Sequence, residues 1–455
     1  MRDYRTNVYN FDPFLRNISQ PDEFNFASVP KFIPPSEDAK LLATAARHAI
    51  NYVSSTSSIS PTLSQLYFLI SRLKGMNLSG RFTGTFDDEP QTYTQMSRAP
   101  IGVLLRPHRN PHNSSVIRSV VAEKASPEDE KPNVLMQLGN VLEKLLTHSQ
   151  HEFEHMLKGA LKPYQAKESE TYSYLLSSKF LLRSQLDCHD PRLPKKYFDL
   201  KTRATLPVRM DVYNYQDYLS YKLHRLHGLY ESFEREFYDL CRSALLKYSF
   251  QVRIGDMDGI MIAYHNTAEL FGFQYLTRSE MDEILFGNTA TGDAVFRMVL
   301  RIYEDVLNII LPLYDENETI RLTFALNKDA SRLNIFSESI SNDRDLSTNN
   351  LHQFTMTSIN SVNGFRTEEL SLSPTGLDDW RVDWQLQQLR PNLAEFESAR
   401  RKATSTDSSR QGSDPSGVSV PSLSIPIMKN ARRVYPVSSL VEDGPEILAP
   451  WTKLN

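Results

Sequence analysis

The chain has 455 residues, 40% of them hydrophobic and 23% charged, with a formal net charge of −4. That length can bury a substantial core in two or three structural units, and no stretch approaches the ~20 apolar residues of a membrane-spanning helix. Two cysteines, Cys188 and Cys241, are too few for a disulfide framework and fit a reducing interior, while the acidic balance restricts any nucleic-acid contact to a local basic surface.

Residues 20–37 are rich in Pro, Phe and Ser, and Leu41 to Leu73 is predicted to form two helices around YVSSTSSISP, whose serines would cap a helix or meet phosphate. Residues 1–125 are therefore expected to be a mostly helical extension. Val134 to Leu146 puts Leu138, Val141, Leu142, Leu145 and Leu146 at helical spacing, with Glu143 on the border of the stripe. A border acid either reaches a site or stays a solvated flank; Glu152 and Glu154 compete for the same role. His148, His151 and His155 have a spacing compatible with zinc, but without cysteines or a paired motif they read as a polar helix face. Tyr174 to Asp190 reads as two extended segments, the second ending in Asp187, and the Pro-containing DPRLPKK loop that follows suits a strand connection. Tyr230 to Gln251 reads as one long amphipathic helix, and Gly255 to Thr267 as a turn and an apolar strand, with Asp256 and Asp258 shaping the turn or assisting a metal. Asp293 to Leu313 is expected to be helical, Thr319 to Phe336 to pair as strands, and Ser337 to Asn363 to be a polar loop. Residues 126–336 then form the central domain, 337–402 a C-terminal extension, and 403–455 a disordered tail, since 404–425 is rich in Ser, Pro and Gly. Lys429, Arg432 and Arg433 form a small basic patch that could touch RNA, lipid headgroups or nothing.

Chemistry concentrates in LDCHDPRLPKKYFDLKTRA, Leu186 to Ala204. On a strand, Tyr197, Asp199 and Lys201 point to one face, and Phe198 and Leu200 to the other. Asp187 would face Asp199 across the loop, so that two acids and a lysine converge. Such a set suits a divalent ion with an oxygen shell and one or two protein carboxylates. The bland alternative is an exposed strand edge with an intrastrand ion pair; Asp129-Glu130-Lys131 shows the same triplet in a charged loop. Arg203, Arg209, Lys222, His224, Arg225 and His227 supply cations after the motif, and Tyr213, Tyr215, Tyr218 and Tyr221 supply rings that stack on bases or pack in the core.

Helix Glu, strand Asp and then Asp-x-Lys resembles the PD-(D/E)XK nuclease superfamily, with Glu143, Asp187, Asp199 and Lys201 in the matching places and Leu186 where the pattern has proline. NFDPFLRNI, YVSSTSSIS, KFLLRSQLDCHDPRLP, FDLKTRA, ESFEREFYDLCRSALLKYSFQVRIGDMDGIMIAYHNT and FGFQYL are similar to the fungal mitochondrial mRNA-processing protein of the petite-complementing family. The resemblance implies an α/β nuclease-like core, a mixed sheet flanked by helices. It also implies a role in 5′-end maturation and degradation of mitochondrial mRNA, and a place at the matrix side of the inner membrane as a peripheral protein. Mitochondrial RNA and the mitochondrial RNA polymerase are the implied partners. On this reading Asp187, Asp199 and the carbonyl of Leu200 hold Mg²⁺ or Mn²⁺, Glu143 completes the shell, Lys201 orients the attacking water, and Arg203 and Arg209 contact RNA. The alternative is a non-catalytic factor that binds RNA and the polymerase. Mitochondrial location rests on the resemblance: the first residues carry Asp3 and Asp12 and lack a transit-peptide pattern, and the chain is expected to begin inside a longer precursor.

Overall fold

The structure is a computed structural model describing residues 11–30, 32–110, 115–123, 134–161, 164, 171–340, 351–367, 378–389 and 393–404, and the backbone of strands at 431–436 and 446–448. Of the disordered tail expected over 403–455, residues 403–404 end a helix and 431–436 and 446–448 are strands, and the rest, with the contacts expected of Lys429, Arg432 and Arg433, lies outside what is described.

The N-terminal part comprises α1 (Ala39–Arg47), β1 (Tyr52–Ser55), α2 (Thr56–Ser71), β2 (Ile101–Arg109) and β3 (Val116–Ala122). Asp38 starts α1 by accepting from the Leu41 backbone N–H at 3.0 Å. The two expected helices are present, but the segment is not mostly helical: β1, β2 and β3 lie together in the middle of the larger sheet. Their β-branched and apolar residues, as in VIRSVVA, satisfy a strand surface buried on both sides. Helix α2 runs through the core although it is rich in serine, because its hydroxyls turn back on their own backbone. Ser60 donates to the Thr56 carbonyl at 2.6 Å and Ser64 to the Ser60 carbonyl at 2.9 Å.

The central part comprises α3 (Val134–Thr147), α4 (Gln150–Glu154), β4 (Tyr172–Ser177), β5 (Phe180–Gln185), β6 (Cys188–His189), β7 (Tyr197–Ala204), α5 (Leu206–Met210), α6 (Phe233–Ser243) and α7 (Leu245–Gly255). There follow β8 (Gly259–His265), β9 (Leu270–Thr277), α8 (Arg278–Phe286), α9 (Thr289–Ile310), β10 (Ile320–Leu326) and β11 (Leu333–Ser339). The expected long helix over Tyr230 to Gln251 is two helices, broken at Ala244, where the backbone opens to φ −119°. The C-terminal part adds β12 (Leu351–Val362), β13 (Phe365–Thr367), β14 (Trp380–Leu389), α10 (Leu393–Thr404), β15 (Ala431–Pro436) and β16 (Glu446–Leu448). The polar loop expected over Ser337 to Asn363 is therefore largely a correction. Phe354 and Met356 alternate with Thr355 and Thr357 on β12 and are buried, so that the threonines form the other face of a strand.

Two sheets result. The larger, of 12 strands, runs β15-β14-β12-β11-β10-β2-β3-β1-β5-β4-β16, with β13 paired to β12. It is mixed, β1 running parallel to both β3 and β5. The smaller runs β6-β7-β8-β9, with β7 and β8 parallel. One buried cluster, from Tyr52 to Leu386, joins α2, α7, α9 and both sheets. Phe324, Trp380 and Trp384 of the late strands belong to it, so the buried core runs on past residue 336. A separate cluster packs Leu138, Val141, Leu142 and Leu145 of α3 against Ile18, Phe24, Phe153 and Met156, and this holds the Glu143 helix.

Candidate active site

The smaller sheet sets the geometry. Cys188 pairs with Phe198 in the antiparallel β6–β7 ladder, so the preceding Asp187 comes opposite Asp199. Asp187 Oδ2 accepts weakly from the Leu200 backbone N–H at 3.4 Å. Asp199 is buried, and its Oδ2 lies 2.6 Å from Lys201 Nζ. That ammonium also stands 4.9 Å from the centre of the Tyr248 ring on α7. Two carboxylates side by side cannot both ionise at low cost. Burial first, and then the charge and hydrogen bond of Asp199 and the charge of Glu143, push Asp187 up to about 9. The pair therefore favours sharing one proton at neutral pH over carrying two charges. Lys201 moves the other way from what burial alone would give: the charges of Asp199, Tyr248 and Asp187 outweigh desolvation and raise it.

Helix α3 brings Glu143 to the same electrostatic cluster, where its charge acts on Asp187 and on Cys188. Its carboxylate is held by Lys144 at 2.8 Å rather than by the aspartates. Among the described residues no three His, Cys, Asp or Glu side chains are placed together so as to hold a metal ion. The aspartate pair and Lys201 therefore meet in contact, and Glu143 stands at the rim. The Cys188 thiol, pushed up to about 12 by burial and then by Asp187, Asp199 and Glu143, stays protonated.

The two arginines expected to contact RNA are placed otherwise. Arg203 is buried, its Nε donating to the Glu236 carbonyl oxygen at 3.0 Å, and burial first, then Arg209, lowers it to about 10. Arg209 is held by Glu236, by the Ala204 carbonyl oxygen and by Asp239, the last at 3.0 Å. Glu236 itself is fully buried, so this cluster fastens α6 to the end of β7, with Arg203 Nη2 buried and without a hydrogen bond among the described residues. Asp256 and Asp258 also turn out to brace the chain. Asp256 pairs with Lys195 at 2.8 Å, and Asp258 accepts from Tyr275 at 2.6 Å, which ties the 190–196 loop to the start of β8. Tyr213 and Tyr230 are exposed, at 97% and 67%, and lie in the segment that carries exposed Lys222, His224, Arg225 and His227.

Sequence reasoning missed Lys247. It lies on α7 beside Tyr248, makes no hydrogen bond or ion pair among the described residues, and is lowered by burial and then by Lys201, with Asp199 opposing. A lysine in the apolar run LLKYSF was the available signal.

The model of the family described as "Mitochondrial protein Pet127" matches residues 32–308, which include every residue of the cluster. A Schizosaccharomyces pombe protein named "mRNA degradation protein pet127, mitochondrial" is 36% identical over 337 residues, covering 72% of this chain and 62% of the relative. PET127 of Saccharomyces cerevisiae, named as a candidate component of the mitochondrial translation system, is 38% identical over 303 residues, covering 63% of this chain and 35% of the relative. The chain thus spans less than two thirds of the length of either relative. With more than half of its residues matched by one family model, the chain belongs to the Pet127 family of mitochondrial proteins.

Proposed function

We propose that this chain is a mitochondrial RNA processing and degradation factor that matures the 5′ ends of mitochondrial mRNA precursors by metal-dependent phosphodiester hydrolysis. The observation that carries the reading is the pair of half-buried Asp187 and buried Asp199, with Lys201 at 2.6 Å from Asp199. The name of the fission-yeast relative supports the substrate class. On this reading the β6–β9 sheet with α3, α6 and α7 is a PD-(D/E)XK-like core.

The donor set fits a hard divalent cation. Two carboxylates in contact share a proton that a cation can replace, and Mg²⁺ or Mn²⁺ takes one or two such groups together with water. Asp187, Asp199 and the Leu200 carbonyl would hold it; when bound, it supplies charge neutralisation at the phosphoryl oxygens and a more acidic water. Asp199 would then release Lys201, whose ammonium is free to position a water or phosphate oxygen. Glu143 would join the shell through a bound water once Lys144 turns away. Lys247, a cation without an acid of its own, favours an approaching phosphodiester.

A second reading keeps the binding and drops the hydrolysis: a nuclease-like accessory factor that binds RNA and the mitochondrial RNA polymerase. Its support is the internal use of Arg203 and Arg209 together with the net charge of −4. Under both readings the chain works on the matrix side of the inner membrane and attaches peripherally; among the described residues no helix is long and apolar enough to cross a membrane. Complementation separates them. Lys201→Ala abolishes processing in cells if the site is catalytic and leaves it intact if the site is a relic.

A further inference from the structure

Three arginines from three successive helices meet at one cavity away from the acid pair. Arg253 of α7, Arg278 of α8 and Arg297 of α9 line a space of about 90 Å³ with Asp256 and Asp293, several times what a single water needs. Acids hold two of the three. Arg253 donates to Asp282 at 2.7 Å and to Asp293 at 3.1 Å, and Arg278 also pairs with Asp293. Asp256 is engaged by Lys195. Arg297 is left over, with no hydrogen bond or ion pair among the described residues, so that four cationic groups face three carboxylates and one positive charge is in excess.

The wall is fixed. A side chain at Gly292 would collide with Arg253 Nη2 and Asp282 Oδ1, so α9 approaches as closely as only glycine allows and locks the Arg253–Asp282 pair. Arg297 Nε is buried and finds no acceptor among the described residues, and Arg278 Nε is buried without a hydrogen bond, 4.0 Å from an Asp282 Oδ2 that also lacks one. Buried donors of charged groups are normally satisfied, and the orphaned Arg297 Nε at a cavity with surplus positive charge asks for a compact, multiply accepting anion.

We propose that this cavity binds a phosphate group, either inorganic phosphate or the terminal phosphate of an oligonucleotide, with Arg297 as the principal ligand and Arg278 Nε as a second donor. The planar guanidinium fork matches two phosphate oxygens. The cavity is joined to the strand of the acid pair, because Lys195 of its rim precedes Asp199 by four residues and the Asp258 N–H donates to the Tyr197 carbonyl at 2.8 Å. A phosphate held there would lie near the start of β7. The pocket does not depend on hydrolysis at the acid pair and is tested without it.

The full chain, in chelator, is titrated with inorganic phosphate at constant ionic strength against chloride, reading melting temperature and calorimetric binding. Saturable stabilisation is expected. Arg297→Gln should weaken it about tenfold or more, Arg297→Lys should restore part of it, and both should melt in chloride close to the wild type, because Arg297 makes no hydrogen bond or ion pair among the described residues. A phosphorylated dinucleotide and its unphosphorylated counterpart separate the sources. Tighter binding of the phosphorylated dinucleotide than of free phosphate, lost in Arg297→Gln, assigns the pocket to a nucleic-acid end, and equal binding assigns it to free phosphate. No saturable response in the wild type, or the same response in Arg297→Gln, overturns the proposal.

Discussion

Replacing Asp187 with Asn should change how the stability of the metal-free protein depends on pH. In the folded chain Asp187 holds its proton up to about 9, mainly through burial and secondarily through Asp199, whereas in the unfolded chain it releases it near its ordinary 3.8. Between these values the native state binds more protons than the unfolded state, so stability is greatest at the acid end and falls as pH rises. The steepest possible fall is about 1.4 kcal/mol per pH unit. Because Asp187 is partly exposed and shares its field with Lys201, a loss of about 1–3 kcal/mol between about pH 5 and pH 8 is expected. Urea unfolding in chelator across that range gives the measurement. Asp187→Asn, with nothing to titrate, should be flatter than the wild type by that amount and at least as stable at the alkaline end. Saturating Mg²⁺ should stabilise the wild type most at high pH, where it replaces a proton already being lost, and should act weakly on the variant. Parallel curves for the two proteins would refute the shared-proton account.

Glu236→Ala should cost about 3–5 kcal/mol, because it leaves Arg203 buried without its acid and Arg209 with Asp239 alone; a lowered urea midpoint with a smaller loss in Glu236→Gln checks it. Lys247→Ala should weaken single-stranded RNA binding by about tenfold with no loss of stability, since the amine makes no hydrogen bond or ion pair among the described residues; unchanged affinity in a filter-binding titration would remove it from the site. Tyr213→Ala, at a ring 97% exposed, should leave melting unchanged and reduce RNA affinity by about 1–3 kcal/mol if the ring stacks on a base.

The parts of the site legible in the sequence were those fixed by strand periodicity. Asp187, Asp199 and Lys201 follow from alternation and from a short loop that sets β6 against β7, and one face of β7 is polar as read. What periodicity could not reveal was depth. Arg203 shares the face of Asp199 and Lys201 yet lies under α6, where Glu236 neutralises it; a basic residue one step further along a strand looks the same in sequence whether it ends in solvent or beneath a helix. Glu143 was legible as a border residue of α3, but its pairing with the adjacent Lys144 was not. Among the elements, β12 and β14 were missed because Thr355 and Thr357, and Gln385 and Gln387, dilute the apolar alternation, and β2 because Arg106, Pro107, His108 and Arg109 fill its second half, whereas α9, whose apolar stripe runs from Ala294 to Ile310, stood out. The sheet order, which places early strands β1 to β3 between late strand β10 and β5, depends on long-range pairing that local pattern does not encode.

The central claim is that the Asp187–Asp199–Lys201 cluster cleaves RNA. The most direct measurement incubates the purified full chain with end-labelled single-stranded RNA and Mg²⁺ or Mn²⁺, beside Asp199→Asn and Lys201→Ala proteins shown to be folded and to bind RNA. The account expects metal-dependent cleavage by the wild type and at least a hundredfold loss in each variant, on the order of 3 kcal/mol of transition-state stabilisation. No cleavage by the wild type with either metal, or equal cleavage by the variants, would contradict it.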